Sequence, residues 1–426
     1  MIIEKLCRQL KIHEAFFKNV FWMYLLQMAQ YVLPFITFPY LTRTLRPESF
    51  AVYAFVIAFM GLIGIVVNFG FNLSGTRAVS AVRNNKEDVS RIVGEITYAR
   101  LTVAGVLLLV VCGVCPFVEL LRDNTLFSIL SYVGIVLGAI LPDFVFQSYE
   151  KMKSLTTRYL LTKSLSVFGI FLFIHGPDDL IKVAMINIVC GLVGYLWTLS
   201  AMRKTLDVTT DWKAIGGVFK QLRMSSLYCF SNLSSSLFSG FMTVMIGVIL
   251  PDKTQVAYWS LAITAVTAVQ MLYSPIADSL YPHMINGKDL RFAYRLGLIA
   301  TPALAIGTAL FIFLADFIVA VLGGPEYRPA ARILIWLSPI LPMSFYGIFI
   351  GWPILGALGQ VKLLTLSTVV SGLTNVVLIS SLALLNISSM ALICVIRCFV
   401  ELLMLVLRAA FLYKTLREDK RDYKLL

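Results

Sequence analysis

Apolar stretches of about 20 residues recur some twelve times between Phe16 and Tyr413, with Lys and Arg concentrated in every second polar loop between them. A hydrocarbon core of about 30 Å takes about 20 helical residues to cross, and lipid offers no partner to an open backbone N–H or C=O, so these stretches predict membrane-spanning α-helices. Strand-like alternation is absent. A chain of 426 residues that is 59% hydrophobic and 14% charged also has too little polar surface to cover a soluble globule.

The predicted spans are 19–41, 50–73, 96–117, 126–148, 157–175, 181–202, 225–250, 256–281, 296–321, 333–357, 361–385 and 388–413. An even number returns the chain to its starting side. The first stretch is longer than a signal-peptide core and has no small-residue cleavage site behind it, so it is expected to be retained. Placing the N-terminus and alternate loops on one side gives that side 28 of the 36 Lys and Arg, against 7 on the other and Arg397 within a span. The basic side is expected to be cytoplasmic, with both termini there. A net charge of +13 is then mostly a topology signal and calls for no nucleic-acid partner.

Catalytic and metal chemistry find little support. Cys112 and Cys115 have redox-pair spacing but sit in a Val- and Leu-rich span with no other ligand nearby, which predicts packing residues. The three histidines form no ligand pattern, and Gly216-Gly217 and Gly323-Gly324 lack the Lys-Ser/Thr of a phosphate loop, so no metal, cofactor or enzyme activity is expected. Outer loops are too short to carry a transferase site.

The polar stretch from Arg203 to Arg223 divides the chain into two six-span lobes, 1–205 and 206–426. A faint echo supports the division: Leu45–Tyr53 resembles Leu250–Tyr258, and Lys153-Ser-Leu-Thr156 resembles Lys362-Leu-Leu-Thr365. The predicted fold is all-α: about twelve spans in two lobes related by a pseudo-twofold axis along the membrane normal, around a central cavity. Prolines at 34, 39, 142, 275, 282, 302, 339, 342 and 353 each remove a helix hydrogen bond, which predicts bends in those spans.

Few charges lie at membrane depth, where each costs from about 2.5 to well over 10 kcal/mol without a partner or water. Arg397 and Glu401 stand one turn apart, as a structural pair or as an arginine available to a substrate anion. Arg100 and Lys163 can snorkel to the inner interface, or join Lys18 and Arg77 around an electropositive vestibule suited to a diphosphate. Asp143 and Asp278 are candidates for carrying a proton or sodium, or are interfacial acids capped by Lys151 and Lys288. Amides at Gln27, Gln30, Asn68, Asn72, Asn187, Asn232, Gln270 and Asn375 are candidate sugar-binding or interhelical donors.

Three stretches resemble a known family. Tyr24-Leu-Leu-Gln27 through Pro34, Pro39 and Arg43 to Phe50-Ala-Val-Tyr53 resembles the opening of bacterial Wzx-type O-antigen flippases. Phe69-Gly-Phe-Asn72-Leu-Ser-Gly-Thr-Arg77 is similar to that family's motif ending the second span, and Leu141-Pro142-Asp143 through Gln147 to Lys153 to its fourth-span motif. Arg46 stands where the family usually has glycine, as does Ser148. The match covers the first 165 residues well and the second half by architecture only.

Membership of the multidrug/oligosaccharidyl-lipid/polysaccharide (MOP) superfamily is what the resemblance implies, together with two lobes around a V-shaped cavity. It also implies an undecaprenyl-diphosphate-linked oligosaccharide moved from the cytoplasmic to the periplasmic leaflet of the bacterial inner membrane by alternating access, coupled to protons or sodium. Membrane lipids, a polysaccharide polymerase and a chain-length regulator are the implied partners. Lys18, Gln27, Gln30, Asn72, Arg77, Arg100, Lys163 and Arg397 are the substrate-cavity candidates, and Asp143, Asp278 and Glu401 the coupling-ion or gating candidates. A drug/cation antiporter would require more intramembrane acids, and a membrane-bound polymerase or transferase a longer outer loop.

Overall fold

A computed structural model describes residues 2–236, 240–287 and 289–418. Among them every regular element is helical. Eight helices are long and apolar enough to cross a membrane, and the bent pair Pro329–Leu337 and Ile340–Gly356 makes a ninth when taken as one span. Lys18–Val82 forms one span because α1 (Ile2–Asn68) takes in both of the first two predicted spans. α7 (Met152–Phe173) carries Lys153, Arg158 and Lys163, which lower its hydropathy, and the predicted span 225–250 runs through residues 237–239, outside the described ones.

The chain packs as two compact units. The first comprises residues 1–45 and 59–233, the second 46–58 and 234–426. The exchange of 46–58 begins at the one break in α1. Arg46 has φ 58° and ψ 169°, a left-handed backbone region that L side chains disfavour and glycine does not. Pro34 and Pro39 keep helical φ/ψ, and the non-helical residue within α1 is Arg46.

In the first unit α1 is followed by α2 (Phe71–Val82), α3 (Lys86–Val114), the short α4 (Glu119–Arg122), α5 (Thr125–Ala139), α6 (Asp143–Ser148), α7, α8 (Leu180–Leu206) and the start of α9 (Val218–Ser236). Asn85 starts α3 by accepting hydrogen bonds from Glu87 N and Asp88 N, with two acids in the first turn facing the positive end of the helix dipole. Pro142 separates α5 from α6 in the predicted fourth span. A core of Phe71, Val93, Ile96, Phe144, Phe146 and Met202 joins α2, α3, α6 and α8. The stretch after α8 lies on α3: Asp211 N donates to Ser90 O at 3.2 Å and Tyr98 Oη to Trp212 O at 2.6 Å. Contact there is so close that a Cβ on Gly94 would fall 2.1 Å from Asp211 O.

In the second unit the helices are α10 (Gly240–Ile249), α11 (Thr254–Met271), α12 (Ser274–Gly287), α13 (Leu290–Phe313), α14 (Ala315–Leu322), α15 (Pro329–Leu337), α16 (Ile340–Phe349), α17 (Val361–Leu384) and α18 (Met390–Glu418). Both members of each internal echo occupy matching local positions. Arg46 and Leu250–Lys253 form breaks before helical segments, and Lys153–Thr156 and Lys362–Thr365 form the first turns of α7 and α17. Within the second unit, Phe50 and Tyr258 both meet the Tyr327 ring edge-on, at 6.1 and 5.9 Å.

Replacing Arg46 with glycine removes the backbone strain at the break in α1, and we expect Arg46→Gly to stabilise the protein by on the order of 1 kcal/mol. Thermal unfolding in detergent checks this, with an unchanged or lowered midpoint counting against strain at that position.

Candidate functional site: buried arginines at the helix breaks

Between α1 and α2 the chain makes a sharp break at Phe69 (φ 48°) and Gly70 (φ 75°). Glycine is required at the second position twice over: the φ is positive, and a Cβ there would lie 2.5 Å from the Cβ of Tyr228. The break sets Asn68 and Asn72 on the same partner. Arg100, only 1% exposed, donates from Nη2 to Asn68 Oδ1 at 3.0 Å and to Asn72 Oδ1 at 2.9 Å. Its Nη1 donates to Leu141 O at 2.9 Å, a carbonyl exposed because Pro142 interrupts the helix there. The Phe71 and Phe144 rings flank the guanidinium at 5.7 and 5.5 Å. Its Nε has no hydrogen-bond partner among the described residues.

Asp143, the first residue of α6, faces a second arginine. Arg158 meets it in a bidentate fork, with Nη1 on Oδ1 and Nη2 on Oδ2 at 2.9 Å, and Nη1 also reaches Thr198 Oγ1 at 3.4 Å. The Arg158 side chain is 6% exposed and that of Asp143 21%. The Asp143 partner is therefore Arg158 from α7 and not the neighbouring Lys151 considered from sequence. Two guanidinium groups beside one carboxylate leave this inner cluster with an excess of positive charge. Thr76 Oγ1, donating to Gln147 Oε1 at 3.1 Å, ties α2 to α6 at its margin.

Two further arginines are buried in the second unit. Arg397 Nη1 donates to Glu401 Oε2 at 2.7 Å, and the two side chains are 7% and 5% exposed. Arg408 has no acid in hydrogen-bond contact among the described residues; it donates to Ser367 Oγ at 3.3 Å, Gly347 O at 2.6 Å and Thr368 Oγ1 at 3.1 Å. The accepting carbonyl lies just before Ile350–Gly356, which winds as a π-helix with Gly351 out of helical geometry and Pro353 lacking an N–H. A Cβ at Gly351 would sit 2.9 Å from Arg408 Nη1, so the glycine leaves room for the guanidinium.

Of the sequence-predicted candidates, the structure brings Asn72 and Arg100 into direct contact, pairs Asp143 with Arg158, and pairs Arg397 with Glu401. Lys18, Gln27, Gln30, Arg77, Lys163 and Asp278 are exposed. Gln27, Gln30, Arg77, Lys163 and Asp278 make no ion pair among the described residues. Lys288, the sequence neighbour expected to cap Asp278, and the side chain of Asn232 lie outside the described residues. Sequence reasoning grouped Arg158 and Arg408 with the loop cations. Arg158 already lay within the predicted span 157–175, and a charge inside a span requires a partner; that was the available signal.

This polytopic helical fold is shared with solved structures. An inward-facing MATE family transporter of the MOP superfamily matches with a TM-score of 0.66 at 15% identity, over 95% of this chain and 99% of its own. The lipid II flippase MurJ in an inward closed conformation matches with a TM-score of 0.70 at 13% identity, over 92% of this chain and 87% of its own. Residues 16–288 match the polysaccharide biosynthesis protein family, and the chain belongs to it. A protein of Escherichia coli (strain K12) named as a candidate O-antigen transporter is 27% identical over 330 residues, 76% of this chain and 79% of its own. One of Shigella dysenteriae with the same name is 24% identical over 321 residues, 74% and 80% of the two chains.

Removing one partner of the Asp143–Arg158 pair strands a charge in a low-dielectric site, so Arg158→Met is expected to destabilise by about 3 kcal/mol or more. Adding Asp143→Asn to that variant should recover most of the loss. Unfolding midpoints of the two single variants and the double variant, compared as a cycle, test the coupling.

Proposed function

We propose that this protein moves a prenyl-diphosphate-linked oligosaccharide from the cytoplasmic to the periplasmic leaflet of the bacterial inner membrane during polysaccharide assembly. The residues 1–205 and 206–426 would act as the two lobes of an alternating-access cycle, both termini being cytoplasmic. The observation that carries this proposal is the match of residues 16–288 to the polysaccharide biosynthesis family, joined to the fold of MOP transporters. Two relatives named as candidate O-antigen transporters support the substrate class. A diphosphate head is dianionic or more, and crossing lipid is feasible when cations and donors replace its water.

The exposed cations are the ones we assign to this contact. Arg77, at the inner end of the second predicted span, and Lys163, on α7 beyond Arg158, are exposed with no ion-pair partner among the described residues. Lys18, Gln27 and Gln30, exposed on α1, complete the proposed surface for sugar and phosphate. Arg100 and Asn72, and Arg397 in the second unit, already engage protein partners, and the role we assign them is to hold their helices in place. Coupling to protons or sodium requires a carboxylate free to change partner. Asp143 and Glu401 are matched by arginines, whereas Asp278 is exposed on α12, and Asp278 is our choice. The translocated unit would pass to a polymerase and its chain-length regulator.

Arg77→Gln should leave the fold intact, because the side chain is exposed, and reduce polysaccharide export at least about tenfold, equivalent to about 1.4 kcal/mol. Surface polysaccharide and the cytoplasmic pool of lipid-linked units measure this in cells. Lipid-linked units should accumulate, and normal export from an Arg77→Gln strain would remove Arg77 from the substrate path.

A further inference from the structure

In the second unit, every residue from Ile340 to Leu358 is buried or half-buried except Trp352, which is 51% exposed. A helix that faces lipid along its length exposes an apolar stripe. This stretch exposes a single side chain, and α16 and the π segment pack instead among α11, α12, α13, α17 and α18. The Trp352 ring stacks on Tyr281 of α12, with centroids 5.5 Å apart and planes 28° from parallel. Gly356, one turn further on, makes room for the pair: a Cβ there would fall 3.3 Å from the indole and 3.7 Å from the Tyr281 ring. Neither Tyr281 Oη nor Trp352 Nε1 has a hydrogen-bond partner among the described residues.

Asp278 shows what medium this pair meets. It stands one turn before Tyr281, about 60° from it around α12, exposed and without an ion pair among the described residues. It also lies about two turns, or about 10 Å, before the end of the membrane helix Thr254–Ile285. An unpaired carboxylate at that depth costs about 2.5 kcal/mol or more in hydrocarbon, so the face of α12 that carries it requires water. Leu280 and Met284, on the other side of α12, are buried in the core of the unit. A half-exposed aromatic pair beside a hydrated carboxylate suits a ligand that is apolar on one face and hydroxylated at its edge. A pyranose ring is such a ligand: its C–H face loses water against the flat rings, and its rim hydroxyls reach the indole N–H, the phenol and the carboxylate. A prenyl chain gains nothing from those polar groups, and a diphosphate is repelled by Asp278.

We propose that Tyr281 and Trp352 form a platform for one sugar ring of the oligosaccharide head, with Asp278 at its edge as an acceptor for ring hydroxyls. The inference rests on the transport function proposed above and adds a place in the second unit where the glycan is held. Sugar hydroxyls and the coupling ion then meet at one carboxylate.

Hydroxyl-radical footprinting of the full-length wild-type protein in phosphatidylethanolamine/phosphatidylglycerol nanodiscs tests it without any substitution. One probe is the prenyl-diphosphate-linked repeat unit extracted from the native host, and the other is the same prenyl diphosphate without sugar. Trp352 should be oxidised in the absence of either. The glycan-bearing probe should lower that oxidation at least about fivefold, and the sugar-free probe should leave it unchanged. Trp352 shielded by lipid alone, equal protection by both probes, or no protection by either overturns the inference.

Binding by variants gives a second readout. Trp352→Leu should weaken binding of the glycan-bearing probe at least about fivefold, equivalent to about 1 kcal/mol, and leave binding of the sugar-free probe unchanged. Trp352→Tyr keeps an aromatic face and should retain most of the affinity. Unchanged glycan binding in Trp352→Leu, a loss shared by both probes, or the same loss in Trp352→Tyr as in Trp352→Leu counts against the platform. Wild-type protein that restores export in cells but leaves Trp352 unprotected defeats the platform and leaves transport standing; protection by the glycan-bearing probe without export does the reverse.

Discussion

Every element of this protein answers to one constraint: in hydrocarbon, an unpaired polar group costs several kcal/mol, and it has to find its partner inside the protein. Uninterrupted helices meet the constraint alone. A helix break exposes carbonyls, and two of the breaks here are met by arginines from other helices. Arg100 takes the carbonyl freed at Leu141 and the two asparagines set by the Phe69–Gly70 break. Arg408 takes Gly347 O beside the π segment. The planar guanidinium suits this task because its five N–H groups reach several acceptors from one side chain, which a lysine cannot do. At these two breaks the freed carbonyl and the arginine form one feature.

The same constraint separates structural from functional charge. Arg100, Arg158 and Arg397 are held by partners within their own unit, so moving any of them requires replacing hydrogen bonds at low dielectric. Such groups hold helices in position. Cations that remain exposed, Arg77 midway along α2 and Lys163 midway along α7, have no ion pair to give up among the described residues and are the ones we assign to a substrate that comes and goes. In the function we propose, interior pairs hold the helices and exposed cations meet the anionic head. The excess of positive charge at the Asp143 cluster adds to the field without itself needing to touch the substrate.

Helix content and the positions of most spans were legible in the sequence because hydrophobic length alone determines them. The predicted 361–385 and the observed Val361–Leu384 differ by one residue. Breaks were less legible. Pro34 and Pro39 keep helical φ/ψ in α1, while the break at Arg46 comes from a positive φ that only the family's usual glycine foreshadowed. Pairing was legible when both partners shared a helix, as with Arg397 and Glu401 one turn apart. It was hidden when they came together by tertiary packing, as with Asp143 and Arg158, or when the partner was a backbone carbonyl, as with Arg408 and Gly347. The connector after α8 was read as a lobe boundary from its polarity. Its packing on α3 depends on Gly94, whose role no pattern of polarity can reveal.

The most direct measurement is translocation by the purified protein in sealed vesicles, with a defined prenyl-diphosphate oligosaccharide placed in one leaflet and a membrane-impermeant glycosidase added on the other side. Protein-dependent exposure of the sugar, faster with an imposed proton or sodium gradient than without one, is the result predicted here. Exposure no faster than in protein-free vesicles, under any gradient, would contradict transport of this substrate class.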